Sequence, residues 1–532
     1  MNPAVAKGWD LLQRGDAAAA EQAIAPLLMG GVSDEAAPLL GAIRLQQKRA
    51  EEAAALLARA RVLAPREARF AFLHGLALAG LERLEDGVAA FREAIRLEPK
   101  ASAPWLALAD ALTRLGRFDE AQATLRKLLR QEPENIQALT ALAAAAIDAG
   151  DPESAIAPLR RALSLTAEPK VKAALHNNLA VALGAAGKHQ EALDGLDAAE
   201  RLLPAMANLD NRRIDILHQM GRFEDCVALY EKLLARDPGD SWSQSGLAAS
   251  LLQMGRAQEA VAAFEAALRL PDPGADIHNG AAEAALAAGD IEKAQAFCEA
   301  GLKRAPFNQS CLALLGTSLR LKGDARDEAL NGYDHLVAVY DLEPPDGFSR
   351  MEDFNAELAA HLDSTHPATR EYLEQTLRGG TQTEGFLFSS ANVLIRKLKA
   401  RIDEAVVDYI AALPASDDHP FTARRRAHFD YAGAWSSRMT KSGFHVNHIH
   451  PKGWISSCYY VVMPGVAKDQ TARQGWIKFG EPPMDLGLKD RRAIEPVPGR
   501  LVLFPSYMWH GTIAFEDDAV RTTIAFDAVP RG

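Results

Sequence analysis

The sequence predicts two folds on one chain, an all-α repeat solenoid followed by an α+β domain built on a double-stranded β-helix, or jelly roll. Three observations predict this. Prolines recur at intervals close to 34 residues or a multiple of it through the first 325 positions. Near residue 340 the composition turns from Ala- and Leu-rich helical periodicity to short apolar runs punctuated by Gly and Pro. Three of the fourteen histidines then fall within six residues, at His445, His448 and His450. A chain of 532 residues is in any case too long for one ordinary domain.

Composition narrows the function classes. Hydrophobic residues at 48% with charged residues at 24% belong to a globular protein able to bury large cores. A formal net charge of −11 leaves no electrostatic footprint for nucleic acid or an anionic membrane, and the triplet Arg424-Arg425-Arg426 reads as a solvated loop. The four cysteines form no CxxC pair and no disulfide framework. The run Met1 to Asp10 lacks an apolar core of signal-peptide length and leads into an expected amphipathic helix, and the longest apolar run, Ala138 to Ile147 apart from Thr140, is far short of a membrane span. A cytoplasmic protein is expected, with neither nucleic acid nor membrane as a partner.

Residues 1–325 form the repeat array. Pro65, Pro99, Pro133, Pro204, Pro238 and Pro306 are separated by 34, 34, 71, 34 and 68 residues, and three extra residues near Glu168-Pro169-Lys170 account for the odd interval. One unit reads Trp105, Ala109, Leu112, Gly116, Phe118, Ala121, Leu125, Leu128, Pro133; a later one reads Gly221, Phe223, Cys226, Tyr230, Leu233, Pro238. Small residues let two helices approach, large apolar ones fill the gap, and Pro ends the second helix. The pattern resembles the tetratricopeptide repeat. That resemblance implies about nine stacked units and a concave groove that binds a protein or peptide, with Asn177, Asn178 and Asn211 as polar candidates in first helices.

Residues 326–347 read as a capping helix, Glu328 to Tyr340, and a linker broken at Leu342-Glu343-Pro344-Pro345-Asp346-Gly347. In residues 348–532 helices are expected near Arg370 to Leu377 and Ser390 to Leu413. Strands are expected at Ala427 to Met439, Ile455 to Met463, Gly475 to Phe479, Arg500 to Phe504 and Arg521 to Val529.

The chemistry concentrates in two stretches of this last domain. On a strand, His448 and His450 would share a face, and imidazole is a common ligand for iron, zinc and copper. A third ligand must come from elsewhere, and His510, ending a strand after Phe504-Pro505, is the obvious source. The set His448-Ile449-His450-Pro451, Ser456-Ser457-Cys458-Tyr459-Tyr460, Gly499-Arg500-Leu501-Val502-Leu503-Phe504-Pro505-Ser506, His510 and Arg521 resembles the 2-oxoglutarate-dependent Fe(II) oxygenases, in particular a bacterial and phage branch with His-x-His-Pro. The resemblance implies Fe(II) on His448, His450 and His510. It implies 2-oxoglutarate held through Arg521, with Thr523 and Arg438 as further candidates. It also implies hydroxylation of a substrate that the repeats recruit.

One departure from the superfamily stands out: His450 occupies the place of the usual carboxylate ligand, for which Asp430, Glu481 and Asp527 are alternatives of no distinctive spacing. His445 reads as a loop or supporting residue, Trp435, Trp454, Trp476, Tyr459 and Tyr460 as core or pocket wall, and Gly379 to Gly385 as a lid or a turn. Two other readings stay open. Three-His jelly rolls of the cupin type resemble this ligand set and need no 2-oxoglutarate; alternatively, the repeats form a scaffold beside an inactive jelly roll.

Overall fold

The computed structural model describes residues 2–29, 31–204, 206–366, 376–383, 386–416 and 418–531. The chain divides into two compact units, Met1–Cys226 and Val227–Gly532.

The described residues of the first unit build helix pairs from Pro3–Gln13 to Leu209–Gln219. The pair Ala68–Gly80 and Leu84–Leu97 shows why the sequence pairs them. Gly75 leaves room for the Phe91 ring, which a Cβ there would meet at 2.5 Å, while Leu78, Val88 and Ala94 close the seam. Burying each large side chain contributes about 1.5–3 kcal/mol. The turns between helices need a left-handed residue. Gly116, Gly150, Gly187, Gly221, Gly255, Gly289 and Gly323 take φ between 66° and 77°, as glycine does without steric cost. Lys48 and Glu82, 34 residues apart in the same register, adopt φ of 60° and 58° in its place. The interval between Gly150 and Gly187 is the long one, and it holds the 17-residue helix Pro169–Ala185.

In the second unit, helices continue from Ser241–Gln253 to Gln309–Lys322. Nine strands follow among the described residues: β1 Ala338–Asp341, β2 Leu377–Gln382, β3 Phe429–His445, β4 Ile455–Val462, β5 Ile477–Phe479, β6 Arg492–Ile494, β7 Arg500–Pro505, β8 His510–Thr512 and β9 Arg521–Pro530. They form two antiparallel sheets, ordered β1-β7-β4-β9-β3-β2 and β6-β5-β8. The sheets meet through Phe479 and Phe504, whose ring centroids lie 4.9 Å apart. Helices Met351–Asp363 and Val393–Ala412 pack against the larger sheet through Leu358, Ile402, Val406 and Tyr409. The Tyr459 hydroxyl donates to Asn355 Oδ1 (2.7 Å), fixing the first of these helices on β4.

Several elements differ from the sequence expectation. Glu328 to Tyr340 is not one helix: Arg326–Asn331 and Tyr333–Leu336 are split at Gly332, and Ala338–Asp341 joins the sheet as β1 beside β7. The run Val337-Ala338-Val339-Tyr340 is rich in strand formers, and the sheet edge outweighs helix periodicity. The helix Met351–Asp363 was not expected, and β6 and β8, three residues each, are too short to show a period. The helix expected at Arg370 to Leu377 lies largely outside the described residues, and Leu377 itself opens β2. The Gly379 to Gly385 run enters β2 through Gln382, with Glu384 and Gly385 outside the described residues.

One hydrophobic core in this unit runs from Leu312 and Leu319 of a repeat helix to Phe504, Phe526 and Ala528 of the sheet. Polar contacts reinforce it. The Trp509 indole donates to Thr317 Oγ1 (2.9 Å), and Tyr507 donates to the Leu330 carbonyl (2.6 Å). Arg320 donates to the carbonyls of Gly480 (2.6 Å) and Lys489 (2.7 Å). Thr317→Val keeps the shape of that side chain and removes the acceptor of the Trp509 indole. It should lower stability by about 1–2 kcal/mol in urea unfolding of the full chain followed by tryptophan fluorescence.

Candidate metal centre

His448, His450 and His510 come together because two chain segments pair beside the sheets. His448 and His510 form a backbone bridge (His448 N to His510 O 2.8 Å, His510 N to His448 O 3.0 Å), and His450 N donates to Ser506 O (2.9 Å). His510 opens β8, opposite Phe479, where the sequence suggested the end of a strand. His448 and His450 lie beyond the end of β3, and their rings nevertheless turn to the same side.

The ligand atoms of the three histidines all lie within 4.8 Å of one another, and the Nε2 atoms of His448 and His450 are 3.2 Å apart. Each Nδ1 is tied elsewhere: His448 to Val446 O (2.7 Å), His510 to Met508 O (2.9 Å) and His450 to Asp527 Oδ1 (2.5 Å). Oxygens of this kind only accept, so the proton sits on Nδ1 and the Nε2 lone pair is free. Three converging neutral imidazoles with their far nitrogens pinned are the donor set of a metal site and fit Fe(II). Burial is the main reason that His510 is held well below the usual histidine range and His448 is pushed down to about 4; the neighbouring imidazoles add to both shifts.

The histidines open onto a cavity of about 420 Å³. Alternate residues of β9, Arg521, Thr523, Ala525 and Asp527, line it, as the two-residue period of a strand requires. Arg521 is 1% exposed; its Nε donates to Gly475 O (3.1 Å) and its guanidinium lies 5.6 Å from the centre of the Tyr460 ring. Among the described residues no carboxylate pairs with it. Ser437, also on the cavity wall, keeps its hydroxyl without a hydrogen-bond partner.

Of the remaining candidates, Thr523 lines the cavity with Arg521, whereas Arg438 is absent from the lining and pairs with Asp363 (3.0 Å). The register explains this, because Ser437 stands opposite Thr523 and Arg438 opposite Thr522, so Arg438 belongs to the other face. His445 reaches the cavity beside His448, with ring centroids 5.9 Å apart. Trp435 lines it too and leans on His450, while Trp454, Tyr459 and Tyr460 are fully buried. Asp430 pairs with Arg531 (2.9 Å) and Glu481 with Lys478 (2.5 Å), away from the histidines. Asp527 alone of the three acids reaches the site. Its one signal in the sequence is parity: six residues after Arg521, it shares that residue's face.

Residues 433–527 match the family described as "Putative 2OG-Fe(II) oxygenase". Tetratricopeptide repeat families match residues 39–104, 78–145, 177–241, 217–270 and 251–316. The chain therefore joins tetratricopeptide repeats to a C-terminal domain of that oxygenase family. No curated protein matches it. Among solved structures, a tetratricopeptide repeat protein from Parabacteroides merdae is 16% identical with a TM-score of 0.37, covering 47% of this chain and 98% of its own. YrrB, described as a TPR protein with an unusual peptide-binding site, is 18% identical (TM-score 0.30, 35% and 95% covered). MamA is 26% identical (TM-score 0.28, 31% and 88% covered).

The buried imidazoles give metal-free protein a distinct pH response. Unfolded, a histidine takes up its proton near 6.5; folded, His448 does so only at about 4. Between these values the unfolded chain binds more protons, so the stability His448 contributes is complete above 6.5 and is lost as pH falls toward 4. The melting temperature of metal-free protein should fall as pH is lowered from about 7 to about 4, and less steeply in His448→Gln, as measured by calorimetry.

Proposed function

We propose that this chain is a 2-oxoglutarate- and Fe(II)-dependent dioxygenase that hydroxylates a protein or peptide recruited by its repeats, in a cytoplasmic setting. The observation that carries the proposal is Arg521: a guanidinium 1% exposed, without a carboxylate partner among the described residues, on the wall of the cavity into which the three histidines open. An isolated buried cation is strongly unfavourable, so the cavity calls for an anion. A dicarboxylate with a keto acid end supplies it, one carboxylate for the guanidinium and the other end for the metal. A cupin-type reading that omits the co-substrate leaves Arg521 without a task.

In this reading His448, His450 and His510 would hold Fe(II), which would supply activation of O2, so that oxidation of 2-oxoglutarate to succinate and CO2 is coupled to hydroxylation of a substrate C–H bond. The chain's own residues prepare the ground. Val446, Met508 and Asp527 hold each imidazole in the ligand tautomer. Arg521 grips the distal carboxylate, and Thr523 and Ser437 add hydroxyls beside it. Arg521 and His510 are themselves buried, which strengthens the charge interactions they make.

The layout is part of the same proposal: residues 1–325 recruit, 326–347 join, and 348–532 carry the jelly-roll oxygenase. Tetratricopeptide repeats as a class mediate protein–protein contacts, and joining such an array to an enzyme raises the local concentration of a captured substrate. No helix among the described residues is long and apolar enough to cross a membrane.

Purified protein with Fe(II), ascorbate and 2-oxoglutarate should release succinate when cell extract supplies substrate, and His510→Ala should abolish it. Arg521→Ala should weaken 2-oxoglutarate binding at least tenfold, read from the visible charge-transfer band of the anaerobic Fe(II) protein. Wild-type protein that shows neither succinate nor that band would sink the proposal.

A further inference from the structure

Asp527 stands in an arrangement that hydrogen bonding alone does not require. Its Oδ1 accepts both from His450 Nδ1 (2.5 Å) and from the Ser456 hydroxyl (2.7 Å), which in turn meets the Ser506 hydroxyl (2.8 Å). A neutral oxygen in that place would satisfy the same two donors. The two other imidazoles of the cluster are held by neutral backbone carbonyls, those of Val446 and Met508. The one ligand pinned by a full carboxylate is the one standing where related oxygenases place a carboxylate ligand.

We propose that Asp527 supplies, one hydrogen bond outside the ligand set, the negative charge that a carboxylate ligand would supply within it. The inference rests on the metal site proposed above. Formal charge gives the reason. The dication and the buried Arg521 guanidinium together bring three positive charges to the site, and a dicarboxylate co-substrate brings two negative ones. Asp527 contributes the third. Through the His450 N–H its charge is shared with the ligand set, so the metal is bound as by a set more anionic than three neutral histidines. Side-chain exposure of 12% for His450 and 15% for Asp527 keeps the coupling from being screened.

The test is metal affinity, independent of turnover. Metal-free full-length protein is titrated with Co(II), followed by its visible absorption, with Mn(II) calorimetry as a second measure. Asp527→Asn keeps an oxygen acceptor for His450 and Ser456 and removes only the charge; it should bind Co(II) about 10–100-fold more weakly than wild type. Asp527→Ala should add little to that loss. Asp527→Asn binding as tightly as wild type overturns the inference, whether or not Asp527→Ala is impaired, since the acid then acts by hydrogen bonding alone. Should Asp527→Asn melt early without metal, the pair Asp527→Glu and Asp527→Gln, equal in shape and unequal in charge, carries the same comparison, and equal affinities overturn it. Wild-type protein that binds no Co(II) refutes the metal site itself, a result distinct from either.

Discussion

Everything in the C-terminal part depends on keeping three imidazole lone pairs aimed at one point. An imidazole left to itself rotates about two bonds and exchanges tautomers. Each of the three is instead anchored at its far nitrogen, to Val446, Met508 or Asp527, and held through its backbone by the pairing of the His448 and His510 segments. The cluster is held at a cost, because burial keeps His448 and His510 neutral where free histidines would begin to charge. That cost is also what readies the cluster for a metal, since a neutral imidazole protonated on Nδ1 has no proton on Nε2 to be displaced.

The anchoring extends well beyond the ligands. Trp509, next to His510, is fixed on one side by the backbone of Gly480 (2.8 Å) and on the other by Thr317 in the helix Gln309–Lys322. Arg320, one turn further along that helix, holds the Gly480 and Lys489 carbonyls and so braces the segment that follows β5. With Leu312, Leu319 and Phe504 sharing a core, the last repeat helix is part of the structural support of the metal centre. A sequence that changes character near residue 340 thus does not change its packing there.

What the sequence disclosed follows from how local each interaction is. In a repeat array each unit meets its neighbours at fixed spacing, so period, turn glycines and even the three-residue insertion near Glu168 could be read directly. Long strands with apolar runs, such as β4 and β9, were equally plain. The three histidines and Arg521 were legible because their residue types are unusual in apolar strands. Less local features were not. Strands β6 and β8 exist because β5 stands between them, and β1 because β7 offers an edge. The face that Arg438 takes depends on the register that sets it opposite Thr522, which no local pattern reveals. The role of Asp527 was hidden because its partner, His450, is 77 residues away.

Arg521 carries the remaining thread from fold to function. A buried guanidinium lowers the stability of the free protein, and among the described residues it meets a carbonyl, a thioether, a thiol and an aromatic face in compensation, none of them an anion. A structural role would be served as well by an apolar side chain, which the neighbouring core accepts readily. The arrangement makes physical sense when an anion completes it, because a ligand that binds only the folded state then restores the stability the cation removed. On the proposed reading, stability given up on β9 would be recovered on binding, beside the three histidines that line the same cavity.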